Sequence, residues 1–222
     1  MMRICLKIVV YLLVAAAIFP AVAQDEVALF RAVNVDDERG VLRWLAAGGD
    51  PNRPDARGQT PLILAMRDES FKVAAVLLDH PATRLDATNA AGETALMMAA
   101  LKGHLSWVQG LAARGAAINR EGWTPLHYAA SGAGVDVLRW LIEQGAALDA
   151  PAPNRSTPLM MAARYGASES VELLLARGAD TRLRNDRGLA AADFARGAGR
   201  DALADRLEAL AGRATAPPPG PR

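Results

Sequence analysis

One tripeptide keeps returning along this chain: Thr60-Pro61-Leu62, Thr94-Ala95-Leu96, Thr124-Pro125-Leu126 and Thr157-Pro158-Leu159, at intervals of 34, 30 and 33 residues. Self-similarity at a period near 33 implies a small unit that is copied and stacked, not one large folded-over core. Extending the period backward reaches Val27 and forward reaches Ala190. Two degenerate copies without the Thr-Pro pair thus bring the expected count to six.

The register can be tested at fixed offsets, because positions in one structural environment should share one residue type. Five residues after each start stand Ala32, Ala65, Ala99, Ala129, Ala162 and Ala195. An all-alanine column is what a close helix contact requires. Two residues after the start stand Leu29, Leu62, Leu96, Leu126 and Leu159. Seventeen after it stand Trp44, Leu77, Leu111, Leu141, Leu174 and Leu207.

Each copy reads as a helical hairpin. The threonine can cap a helix, and a following proline loses nothing because its missing N–H would be unpaired there. Gly103 and Gly166 turn the chain into a second helix. Gly48, Gly115, Gly145 and Gly178 follow that helix, where a left-handed residue is usual. Neither helix can bury its apolar stripe alone, so the hairpins must stack into an all-α solenoid. Composition agrees: aromatics are only 5%, and the apolar fraction rests on Ala, Leu and Val, the mixture of closely packed helices.

Gly122-Trp123-Thr124-Pro125-Leu126-His127-Tyr128-Ala129-Ala130, Gly103-His104, Val171 to Leu175 and Gly178-Ala179-Asp180 together resemble the ankyrin repeat. The resemblance covers about residues 25 to 211 and implies an ankyrin-repeat domain over 24–212. Its copies fall near 26–57, 58–91, 92–121, 122–154, 155–187 and 188–212. Two departures stand out. One residue is added near Pro81, and three are missing between Gly115 and Thr124, which should shorten one loop and disturb the curvature there.

The N-terminus reads as a cleavable secretory signal over 1–23. Arg3 and Lys7 precede an uninterrupted apolar run of 12 residues, Ile8 to Phe19, and Ala21-Val22-Ala23 supplies the small residues a signal peptidase reads. Cleavage before Gln24 is expected. The rival reading, a signal anchor in the inner membrane, is opposed by length: Ile8 to Ala23 is 16 residues against roughly 20 needed to span a bilayer. After cleavage no membrane association is expected, and the destination is the bacterial periplasm or the outside medium. Residues 213–222 are Pro-rich without apolar periodicity and read as a disordered tail.

Charge and cysteine content narrow the function. Loss of Arg3 and Lys7 takes 25 basic residues to 23 against 24 acidic ones, a net −1, so nucleic acid is not an expected partner. The only cysteine, Cys5, leaves with the signal, and stability must come from packing without disulfides.

Nothing in the sequence reads as catalytic. The histidines are His80, His104 and His127. His104 fills the family's turn position, and His127 resembles the family histidine that braces neighbouring loops. No His-x-x-x-His pair, phosphate loop or nucleophile elbow is present, and no cofactor is expected. Met97-Met98 and Met160-Met161 occupy equivalent places in two repeats. Core packing explains them, while copper(I) capture by thioethers is the alternative.

The resemblance implies binding of another protein through loop tips and the exposed side of the first helices, which form a concave surface. Trp123, on the shortened loop at a solvent-facing family position, is the first candidate, since tryptophan is enriched at interface hot spots. Around it stand Gln59, Glu93, Arg120, Glu121, Asn154, Arg155 and Arg187 on loops, with Arg164 and Tyr165 on a first helix. Any one charged member, taken singly, reads first as a solubilising residue on a solvated face. Trp44, Trp107 and Trp140 fall within second helices and read as packing.

The function expected is that of a monomeric, non-enzymatic module that binds or protects a partner protein in the periplasm. The resemblance extends to small periplasmic ankyrin proteins, some linked to oxidative-stress defence alongside catalase. An immunity or inhibitor protein that neutralises a toxin or secreted enzyme is the second reading, and a Met-based metal carrier the third.

Overall fold

The computed structural model describes residues 26–132 and 134–213, and every regular element among them is a helix. The expected signal over 1–23 and the tail beyond Arg213 lie outside the described residues. The chain divides into two compact units, one up to Arg84 and one from Leu85. In the first, α1 (26–34) pairs with α2 (Glu38–Ala46), and α3 (Pro61–Arg67) with α4 (Phe71–Asp79). The second holds four hairpins: α5 (Ala95–Lys102) with α6 (Leu105–Ala113), α7 (Pro125–Ser131) with α8 (Val135–Glu143), α9 (Pro158–Tyr165) with α10 (Ser168–Ala176), and α11 (Ala191–Arg196) with α12 (Asp201–Arg213).

The helix starts follow from their capping chemistry. Thr60, Thr94 and Thr157 each accept the backbone N–H three residues on, at 3.4, 3.3 and 3.4 Å. The third helical residue answers in kind. Met97 and Met160 accept the N–H of Thr94 and Thr157 on their sulfurs, both at 3.4 Å, and Asp193 accepts the Ala190 N–H at 2.8 Å. Met97 and Met160 are fully buried in this role, which ties both residues to packing and capping.

Small residues set how closely the hairpins of the second unit approach. First helices pack in the order α5, α7, α9, α11, each against the next, and α6, α8 and α10 follow behind. The alanine column lies inside: Ala99, Ala129, Ala162 and Ala195 are wholly inaccessible. At the far ends of these helices backbone meets backbone. A Cβ on Gly132 would stand 2.4 Å from the Leu101 carbonyl oxygen, and one on Gly166 2.2 Å from that of Ala130. The leucine columns are equally buried, with one correction. Trp44 is half-buried where Leu77, Leu111, Leu141 and Leu174 are inaccessible, because it lies in the first repeat and covers Gly49 instead of entering the core.

Second helices end as expected where glycine follows, with φ of +85°, +98°, +80° and +92° at Gly48, Gly115, Gly145 and Gly178. Helix α4 differs. The added residue near Pro81 replaces this turn with one in which the Thr83 hydroxyl donates to the Leu77 carbonyl at 2.6 Å. The last hairpin is tied down by Arg200. Its Nη1 donates to the carbonyls of Ala162, Ala163 and Gly166 at 3.0–3.1 Å, satisfying the open end of α9.

A polar column absent from the sequence reading also stitches successive loops. Asn52 accepts the Arg84 N–H at 2.7 Å in the first unit. In the second, Asp86, Asn119 and Asp149 accept the N–H of Ala117, Ala147 and Asp180 at 2.9, 2.8 and 3.1 Å. Burial raises the Asp149 carboxyl above its ordinary range. All four residues stand 25 or 26 positions after their repeat starts, so the same self-comparison that found the alanines could have found them.

Candidate partner-binding site

Loop tips carry the candidate contacts, and three of them are tight turns closed by a side chain of their own. Asp55 accepts the N–H of Arg57 and Gln59 at 2.8 and 2.7 Å. Asn89 does the same for Ala91 and Glu93, and Asn185 for Arg187 and Leu189. Such turns present their outermost side chains on a rigid backbone.

In the second unit the structure gathers Trp123, Glu93 and Arg120 into one cluster. Trp123 is not the fully exposed residue expected. It is half-buried, with its ring edge-on to His127 (centroids 5.2 Å apart) and to Tyr128 (6.3 Å). The Tyr128 hydroxyl donates to Glu93 Oε1 at 2.8 Å, and Asn89 Nδ2 donates to Glu93 Oε2 at 2.7 Å. Arg120 Nη1 donates to the Gly92 carbonyl at 2.6 Å, bracing the loop in which three residues are missing. Glu93 and Arg120 are therefore engaged internally, positioning the aromatic pair. Burial, then the bond to Glu93, pushes the Tyr128 hydroxyl well above its ordinary range, so it stays a donor.

His127 is the buried keystone. Its Nε2 donates to the Ser156 carbonyl at 3.0 Å, which leaves Nδ1 as the acceptor for the Thr124 N–H at 3.2 Å and the Thr124 hydroxyl at 2.9 Å. This neutral form is the one the surroundings favour. Burial holds the imidazole down at about 4, against the opposing pull of the Ser156 bond. His127 thus braces the loop that carries Asn154 and Arg155.

The other expected contacts are distributed. Asn154 and Arg155 are exposed on the 152–156 tip, Glu121 beside Trp123, and Arg187 on the following tip. Arg164 and Tyr165 lie at the far end of α9, with the guanidinium 5.3 Å from the Tyr165 ring centroid and Tyr165 59% exposed. About 12 Å of helix separates them from the tips. Gln59 belongs to the first unit. Sequence reasoning missed Tyr128, although its place next to His127 on the first turn of α7 was visible.

No set of three or more His, Cys, Asp or Glu converges on a metal geometry among the described residues, and no described helix is long and apolar enough to cross a membrane. What the cluster offers is a clamped aromatic surface with polar flanks.

Residues 29–121 and 111–185 match the family described as ankyrin repeats in three copies. The chain belongs to the ankyrin-repeat family. Ankyrin repeats bind other proteins, and the chain is similar to segments of much larger molecules. The chain is 31% identical over 148 residues to the nuclear factor NF-kappa-B p105 subunit of Gallus gallus, covering 64% of this chain and 15% of that protein. It is 27% identical over 169 residues to human transient receptor potential cation channel subfamily A member 1, covering 72% and 15%. With human neurogenic locus notch homolog protein 1 it shares 33% over 140 residues, covering 62% and 6%. The chain spans 15% or less of the length of each of these proteins. A solved structure is similar over a whole chain: one from the complex of a predatory endopeptidase of Bdellovibrio bacteriovorus with its immunity protein. There the TM-score is 0.67 at 28% identity, over 82% of this chain and 97% of that one.

Proposed function

We propose that this ankyrin-repeat chain is an exported, non-enzymatic module that holds a partner protein in the bacterial periplasm. The observation that carries the reading is Trp123: a half-buried indole clamped edge-on by His127 and Tyr128, with Glu121 exposed two residues before it and Arg155 exposed on the following tip. A partly exposed aromatic whose orientation is already fixed binds with little ordering cost. Export rests on the 1–23 segment, and the link to oxidative-stress defence rests on the family resemblance alone.

The immunity or inhibitor reading has a specific observation in its favour. The solved chain this one matches almost end to end comes from a complex of an endopeptidase with its immunity protein, and the repeats here supply a similar scaffold.

Affinity purification from periplasmic extract with the mature chain tests both readings. A specific protein should be retained, and Trp123→Ala should weaken its binding by about 30-fold, the size of a typical hot spot. A retained hydrolase that loses activity on binding selects the immunity reading; a partner that keeps its activity and gains lifetime selects the holding one. Retention unaffected by Trp123→Ala would remove the proposed centre. The N-terminus of the fractionated protein should be Gln24, and an intact Met1 there would overturn cleavage.

A further inference from the structure

The backbone of one loop tip departs from its equivalents. Two residues before each repeat start stand Gly58, Gly92, Gly122 and Gly188, all left-handed with φ of +73° to +82°. In the fifth repeat the same place is taken by Arg155, also left-handed at φ +60°. That conformation favours glycine and is disfavoured for a long side chain. The tip therefore carries a conformational cost that its four counterparts avoid.

Backbone hydrogen bonds hold the turn, and the Arg155 side chain adds nothing to them. Arg155 is exposed, and among the described residues its guanidinium makes no hydrogen bond, ion pair or ring contact. The backbone beneath it, in contrast, is held from every side. Within the tip, Arg155 N–H donates to Ala152 O at 2.7 Å, Ala152 N–H to Ser156 O at 2.9 Å, and Ser156 N–H to Asn154 Oδ1 at 3.0 Å. The preceding repeat grips it through His127 Nε2 on Ser156 O at 3.0 Å, and the following repeat through Asp186 N–H on Asn154 O at 3.2 Å. Arg187, on that adjoining tip, is exposed, and its guanidinium is likewise unpaired among the described residues.

We infer that the 152–156 tip is a preorganised carboxylate-recognising finger, in which Arg155, flanked by Arg187, takes an Asp or Glu side chain of the partner protein while Trp123 covers apolar surface beside it. A planar guanidinium on a fixed backbone suits bidentate pairing with a carboxylate and loses little freedom in making it. Phosphate would satisfy the same fork, but the net −1 of the chain after signal cleavage argues against a polyphosphate backbone. This inference rests on the binding-module reading and gives it a partner chemistry.

The test uses the mature chain and its Arg155→Gly, Arg155→Lys and Arg187→Ala variants. They are applied to an array of acidic peptides, to a twin array with every Asp and Glu replaced by its amide, and to single-stranded DNA. The wild type should prefer acidic peptides to their amide twins by about tenfold, and Arg155→Gly should abolish that preference. Arg155→Lys should keep only part of it, since the fork is lost. The unfolding midpoint of Arg155→Gly should be unchanged or higher. Equal binding to both arrays, tighter binding to DNA, or a midpoint that falls on Arg155→Gly would each overturn the inference. A periplasmic partner retained equally by wild type and Arg155→Gly would sink the finger and leave the binding module standing; retention of nothing by the wild type would sink the module itself.

Discussion

The Nε2 of His127 donates to the carbonyl oxygen of Ser156 across 3.0 Å, joining the first turn of α7 to the loop that opens the next hairpin. Because Nδ1 accepts the Thr124 backbone N–H, protonation would turn an acceptor into a donor facing a fixed donor. The bond to Ser156 survives protonation; the one accepted from the Thr124 N–H does not.

Stability should therefore fall with acid in a defined window. The imidazole is held at about 4 in the folded chain against 6.5 when free, so the unfolded state takes up the proton first as pH drops. The contribution is whole above 6.5 and declines between there and about 4, by up to about 3 kcal/mol. Denaturant midpoints of the wild type and His127→Asn across that range test this. The variant should be less stable at neutral pH and lack this slope; equal slopes would place the acid sensitivity elsewhere.

Two glycines should respond differently to alanine. Gly166→Ala puts a methyl 2.2 Å from the Ala130 oxygen, a backbone atom that cannot move aside without parting two hairpins. A loss of about 1–3 kcal/mol is expected. Gly145→Ala meets nothing within 4 Å but must hold φ at +80°, for about 1 kcal/mol. Thermal unfolding of both variants would check the ranking, and the reverse order would contradict the close approach.

Arg200→Met keeps the length of the side chain and removes the donor to two α9 carbonyls and to that of Gly166 just after the helix. The expected cost is about 1–2 kcal/mol. Amide exchange should quicken in α9 and α12 before α5 and α6; uniform quickening would mean the contact is not local.

Leu141→Ala should cost about 2–5 kcal/mol, because an inaccessible side chain leaves a cavity. Trp44→Ala, at the matching place in the first repeat, should cost less despite its size, since the indole is only half-buried. Equal unfolding midpoints for Leu141→Ala and wild type would contradict the register.

Much of the candidate site was legible once the register was known, since Trp123, Arg155 and Arg187 fall at tip positions counted from the Thr-Pro-Leu starts. Their standing was not. Glu93 and Arg120 looked as available as Arg155, and only the placement of Tyr128 and Gly92 turned the first two inward.

The order of helices, the alanine and leucine columns and the glycine turns were all decided by the chain's own periodicity, because each depends on neighbours within one hairpin or on a position repeated from copy to copy. Which side chains remain free, which histidine is locked neutral, and which arginine closes α9 were decided only by contacts about 30 to 40 residues apart, as with Arg200 and Ala162 at a separation of 38. A hydrogen bond is made or lost over a few tenths of an ångström, and no spacing along a sequence carries that precision.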